Sequence, residues 1–347
     1  MQNQLTPGKM NKNISLCLSA SVFILSYFIS ISLLSNYTPM KFILNLIKNR
    51  NFILVLSVVL GLFIGDSAHS LKSYTTFILA LVMTFSMTNL RTSGLMPSWG
   101  LVKTMLMGAF LNFVIYGTIM IALASWLIED KIILYGFIVI ATTPPGVAIV
   151  PFSHILKGDL EYSIKGVLGA FVFAVVVTPF AVSWLTGNDG ISSVSLFILM
   201  VKTIVVPLII SRILLLRPLV KRVNQARGKI VDWGFALLIF IAVGLNRHVF
   251  FGEPELLLKI ALLLVVVHFV VGLLYEKLAL RLVKDKARVM SQNLLVTIKS
   301  SGFAVVTSLT LFGQEAAIPT ALLAIFVLCY LLFLSLRMDL RNKHPNS

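Results

Sequence analysis

Acidic residues are scarce in this chain: 13 Asp and Glu face 29 Lys and Arg in 347 residues. They are also scattered, and none lies near the middle of a long apolar run. That argues against a membrane prenyl or lipid transferase, which needs clustered acids to hold a metal or diphosphate, and against a carboxylate proton relay. Cysteine is nearly absent. Cys17 and Cys329 sit in apolar segments and form neither a disulfide framework nor a metal motif. Long polar stretches are missing too, so no soluble domain is expected, and a non-transporting sensor would have to borrow its output from a partner. Alternating strand patterns are also lacking, which argues against a β-barrel.

What fills the chain is hydrophobic sequence, 58% of it, in recurring runs long enough to cross a hydrocarbon core of about 30 Å. The reading is an all-α integral membrane protein with helices expected at 52–65, 71–88, 104–127, 132–156, 162–185, 192–215, 229–246, 256–276, 288–312 and 315–336. The net charge of +16 is no sign of nucleic acid. Its placement is one-sided. Alternate connections carry Lys48, Arg50, Arg91, Arg217, Lys221, Arg222, Lys284, Lys286, Arg337 and many more, whereas the others hold only Lys72, Lys131, Arg247 and Lys259. The positive-inside rule then places both ends of a ten-helix core in the cytoplasm of a cell-membrane protein, with the basic face against anionic lipid. Trp99, Trp126, Trp184 and Trp233 fall at expected helix ends, where an aromatic belt belongs.

Three regions follow: an N-terminal extension, 1–40, a transporter domain, 41–336, and a cytoplasmic tail, 337–347. The extension contains an apolar stretch, 14–34, that does not fit the alternation of sides. It reads as a signal-like, peripheral or dispensable eleventh segment.

Lys299 stands near the centre of the run 288–312, in Thr297-Ile298-Lys299-Ser300-Ser301-Gly302. A charge at that depth costs about 2.5–3.5 kcal/mol on insertion scales and marks function by default. An earlier run is broken by Thr142-Thr143-Pro144-Pro145-Gly146, where two prolines remove backbone donors. The ten expected helices divide into two sets of five, which must have opposite topology, and each break falls in the fourth helix of its set. Interrupted helices at matching places of inverted repeats point to a transporter site. Proline kinks and small-residue packing alone would explain either break, but not their matching positions or the lysine. Half-helix N-termini beside a lysine favour an anion.

These two stretches resemble the bile acid:sodium symporter family. Thr142 to Asp159 is similar to the family's fourth helix, with Pro144-Pro145-Gly146 at its Pro-Gly-Gly break and Lys157-Gly158-Asp159 at the following turn. Leu295 to Ala304 is similar to its ninth helix, and Phe312-Gly313 to Pro319 to the loop into its tenth. The resemblance spans about 41–336. It implies two inverted five-helix repeats with crossed broken helices 4 and 9, a panel of helices 1, 2, 6 and 7, a core of helices 3–5 and 8–10, and substrate between them.

The departures concern sodium. On this alignment the family's acidic ligand falls on Leu295, its Gln-Asn pair on Lys299 and Ser300, and its Ser-Asn pair on Ile149 and Val150. One helix-five hydroxyl is kept as Ser163, its neighbour becomes Val167, and the helix-three Gln becomes Asn112. The expectation is a secondary transporter of a small organic anion by alternating access, not an enzyme, without cofactor or metal, in which Lys299 replaces the coupling ion as a fixed cation, binds the anion or carries a proton. Thr142, Thr143, Pro144, Pro145, Gly146, Asn112, Ser163, Lys299, Ser300, Ser301 and Gly302 are the candidate crossover or substrate residues. Alternatives are a symporter coupled to sodium or protons through other groups, an auxin-efflux-like carrier, and an arsenite-type carrier, which would want a thiol at the first break where none stands. Lys165 is expected to snorkel, Lys202 is open between surface and cavity, and His268 reads as a packing residue. Substrate and oligomeric state are not legible.

Overall fold

The computed structural model describes residues 50–90, 99–187 and 193–343. The apolar stretch 14–34 and the rest of the expected extension lie outside them, as does the end of the tail. Among the described residues the secondary structure is helical apart from one isolated backbone bridge. The helices are α1 (Arg50–Ile64), α2 (Thr75–Met87), α3 (Trp99–Leu127), α4 (Lys131–Thr142), α5 (Ile149–Ile155), α6 (Leu160–Leu185), α7 (Val194–Leu214), α8 (Arg217–Leu245), α9 (Arg247–Gly252), α10 (Pro254–Leu282), α11 (Lys286–Thr297), α12 (Ser301–Leu311) and α13 (Ala317–Lys343).

Seven helical stretches among the described residues are long and apolar enough to cross a membrane, and the chain is a multi-pass membrane protein. One of them, Phe52–Met87, is interrupted by 3₁₀ turns at Gly65–Ser67 and Lys72–Tyr74, which separate α1 from α2. The expected helices 132–156 and 288–312 are each two pieces, α4 with α5 and α11 with α12. The expected helix 229–246 starts a dozen residues early, at Arg217, because Pro218 opens a polar helical extension. Hydropathy marks only the apolar part of such a helix. α13 likewise continues past 336 into the expected tail. The four tryptophans are all exposed.

The scarce acids are used structurally. Asp130 caps α4 by accepting from the N–H groups of Ile132 and Ile133 (2.8 and 2.9 Å). Asp159 caps α6 through Tyr162 N–H, and Asp285 caps α11 through Ala287 and Arg288. Asp66 pairs with Arg247, Glu161 with Lys165 and Glu255 with Lys259. Glu276 on α10, only 5% exposed, receives both guanidinium nitrogens of Arg337 on α13 at 2.6 and 2.8 Å.

Lipid tails give helices no hydrophobic drive to associate, so small residues that allow close backbone approach carry the packing. α3 and α6 show this: a Cβ on Gly108 would lie 2.4 Å from the Gly166 carbonyl oxygen. α1 and α2 both pack on α8, and α12 lies against α13 and α8.

Breaking this part-buried pair should be costly. Glu276→Ala takes the carboxylate from Arg337, whose side chain is 25% exposed, and the expected loss is below the about 3–5 kcal/mol of a fully buried pair. Thermal unfolding in detergent measures it, and a wild-type midpoint would show that the pair contributes nothing.

Candidate functional site

The two breaks meet. The chain leaves α4 at Thr143 and α11 at Ile298, and the unwound segments lie antiparallel with Pro145 opposite Lys299. Gly146 N–H donates to the Ile298 carbonyl, and Ser300 N–H donates to the Pro144 carbonyl, both at 3.1 Å. Within a membrane no water relieves unpaired backbone, so irregular segments must satisfy each other. Pro144 and Pro145 assist by having no N–H to satisfy. Gly146 permits the approach, since a Cβ there would stand 3.1 Å from the Lys299 carbonyl oxygen. Thr142 and Thr143 turn their hydroxyls back onto α4, to the carbonyls of Ile138 (2.8 Å) and Ile140 (2.9 Å). Thr178 of α6 donates to the Thr142 carbonyl at 2.6 Å.

The Lys299 side chain is 2% exposed. Its ammonium donates to the carbonyls of Asn112, Ala141 and Thr143, each at 2.9 Å. An ammonium has three N–H donors, and here all three are used. Two of the acceptors lie at the C-terminal, negative end of the α4 dipole. Asn112 sits in a π-helical stretch of α3, Phe110–Tyr116, and its side-chain amide also donates to the Thr143 carbonyl at 3.1 Å. The rings of Tyr116 and Phe113 flank the ammonium at 4.7 and 5.3 Å. The charge is thus clamped across both broken helices and α3.

A small cavity of about 50 Å³ lies on the other side of the crossing. Gly146, Val147 and Phe152 line it from the first break, Lys299, Ser300 and Ser301 from the second, and Phe235 from α8. α12 begins here with no side chain capping its first amides. Gly302 belongs at this point because a Cβ would fall 2.5 Å from the Phe235 ring.

Of the expected site residues, Thr142, Thr143, Pro144, Pro145, Gly146, Asn112, Lys299, Ser300, Ser301 and Gly302 gather at the crossing or its cavity. Ser163 does not contact the Lys299 ammonium. Its hydroxyl donates to Ser153 (2.9 Å), which contacts Ser291 (3.0 Å), and Ser291 donates to the Asp159 carbonyl (2.8 Å). This hydroxyl chain ties the α5–α6 turn to α11. Ile149, Val150, Val167 and Leu295 are buried together in one apolar cluster. Leu295 reaches the α6 backbone, for a Cβ on Gly166 would be 2.6 Å from its Cδ1.

Lys202 does not line this cavity. It is exposed on α7, whose neighbouring Ile198, Val206 and Ile209 are exposed too. Lys165 pairs with Glu161, and His268 is buried with Nδ1 on the Leu264 carbonyl at 2.8 Å. Sequence reasoning missed Thr178 and Tyr116. Thr178 had a signal, since it precedes the in-helix Pro179, but Tyr116 had none.

A family model described as the sodium bile acid symporter family matches residues 76–253. The match includes the first break but not the second, so the crossing geometry is what joins Lys299 to the matched region. No individual curated protein matches the chain.

Removing the ammonium takes a donor from three buried carbonyls, of which Thr143 keeps the Asn112 amide, and each carbonyl left without a donor costs about 1–3 kcal/mol. Lys299→Met should therefore lower thermal stability well beyond the effect of a typical surface substitution, and a melting curve in detergent will show it. An unchanged midpoint would mean that the crossing does not depend on the clamp.

Proposed function

The chain belongs to the sodium bile acid symporter family, a family of membrane transporters, and on that premise we propose that it is a secondary transporter of a small organic anion whose Lys299 stands where relatives place a coupling ion. The single observation that carries this reading is the ammonium of Lys299 held by three main-chain carbonyls across both broken helices. The expected architecture, ten helices in two inverted repeats, would assign α1, α2, α7 and α8 to the panel and α3 to α6 with α10 to α13 to the core. The cavity between α8 and the crossing lies between those two groups. Both core termini would face the cytoplasm of the cell membrane.

The residues present do not suit sodium. That ion needs several oxygen ligands in one place. The positions that resemble the family's sodium ligands hold Ile149, Val150, Val167 and Leu295, all buried in one apolar cluster, beside the retained Ser163. Another of those positions, Lys299, holds an ammonium that already takes the local carbonyls. The cation is thus part of the chain, and transport is expected to be independent of sodium.

Selectivity for an anion follows from the charges. Lys299 contributes a buried positive charge, and the first turn of α12 adds the positive end of a helix dipole at the cavity. The remaining walls, Leu54, Phe152, Phe235, Ile239, Val327 and Leu331, are apolar and suit the hydrocarbon part of an organic acid.

A thermal-shift screen of organic carboxylates and sulfonates in sodium chloride and in choline chloride identifies ligands. Reconstituted uptake of the best binder should then proceed equally in both salts, and a strict sodium requirement would falsify the sodium-free reading. Lys299→Ala should abolish that uptake, and wild-type uptake by this variant would remove the lysine from the mechanism.

A further inference from the structure

Resting on the alternating-access reading just given, we propose that the carrier needs no solution ion at any point in its cycle, so that it is facilitative: it returns empty as readily as loaded and moves its anion in whichever direction the anion's own electrochemical gradient points. The reason lies in how the cation is attached. An ion-coupled carrier gains its driving force from an ion that binds on one side and leaves on the other. Here the cation is a side chain of the core, and it cannot leave.

The ammonium is also fully engaged where it stands. All three N–H groups of Lys299 are committed to the carbonyls of Asn112, Ala141 and Thr143. Loss of a proton would take a donor from one of these buried acceptors, which is costly. Three titratable groups lie near the ammonium, and none of them is a carboxylate. Tyr116 of α3 presents its ring, not a carboxylate, at 4.7 Å. His268 of α10 lies edge-on to Tyr116 at 5.9 Å and has its Nδ1 on the Leu264 carbonyl, and Tyr330 of α13 lies beyond it at 6.5 Å. Among the described residues no carboxylate pairs with Lys299. The core therefore carries the same charge when it is empty in either orientation, in any salt.

This is testable without knowing the substrate. In the full-length chain with Cys17→Ser and Cys329→Ser, a single cysteine is placed on the cavity wall as Val327→Cys, or as Ala148→Cys on the opposite wall. Right-side-out and everted membrane vesicles are treated with a membrane-impermeant maleimide in sodium or choline salts and at acidic and mildly alkaline pH. Rates are normalised to the unfolded chain at the same pH. The expected result is labelling from both sides, at rates constant within about two-fold across all conditions, as a conformational equilibrium without differential ion binding requires. Lys299→Gln in the same background should become sodium-sensitive, because it withdraws the ammonium from three carbonyls that stand beside the Asn112 Oδ1. Two-sided labelling that changes with sodium or pH in the parent would overturn the ion-free cycle and leave alternating access standing. Labelling from one side only, with both cysteine positions and under every condition, would instead overturn alternating access and the proposal with it.

Discussion

A membrane offers no water to an unwound backbone, and the central structure of this protein depends on how that constraint is met. Two helices stop in mid-course, at Thr143 and Ile298, and each supplies what the other lacks. Two main-chain hydrogen bonds close the crossing. The carbonyls left at the end of α4 would still be poorly served, and the Lys299 ammonium serves two of them and reaches a third on α3. Each element depends on the others. Without the breaks a buried ammonium would find no free acceptors, and without the ammonium the breaks would leave polar backbone unsatisfied.

The family resemblance and this geometry fit together in an uneven way. The matched region ends at residue 253, before the second break, yet the second break carries the charge. What ties the two halves is contact: Pro145 beside Lys299, and the Asn112 amide on the same Thr143 carbonyl that the lysine uses. A chain can diverge in the residues that hold an ion while keeping the backbone that surrounded it. On the proposed reading the substitution is local, a cluster of aliphatic side chains at one place and a tethered ammonium at another.

Much of this was legible in the sequence because the signals are coarse and physical. A lysine in an apolar run and a Pro-Pro-Gly interruption in another are hard to hide, and both lie at the crossing. The helix spans were readable wherever hydrophobicity and helix coincide, and misplaced at Arg217 and beyond residue 336, where helix continues into polar sequence. Contacts between distant elements were not readable. Nothing in the local sequence says that the Asn112 carbonyl rather than its side chain meets Lys299, or that Thr178 caps the Thr142 carbonyl. Ser163 was placed in the site because it matched a family hydroxyl, but a serine chain holds it to Ser153 and Ser291. Main-chain acceptors leave no mark in sequence, and this site is made largely of them.

The cavity at the crossing has a further consequence through its size. About 50 Å³ is far below the roughly 300 Å³ at which ordinary ligand pockets begin. A ligand of ordinary size can enter only when α8 and the broken helices part, so the free energy of parting is subtracted from every contact it then makes. Apparent affinity is set by the fraction of molecules already open. Phe235 lies against Gly302 so closely that a Cβ there would stand 2.5 Å from its ring, which leaves no slack at this contact between α8 and α12. The contacts that keep the cavity shut thereby set how tightly any ligand can be held.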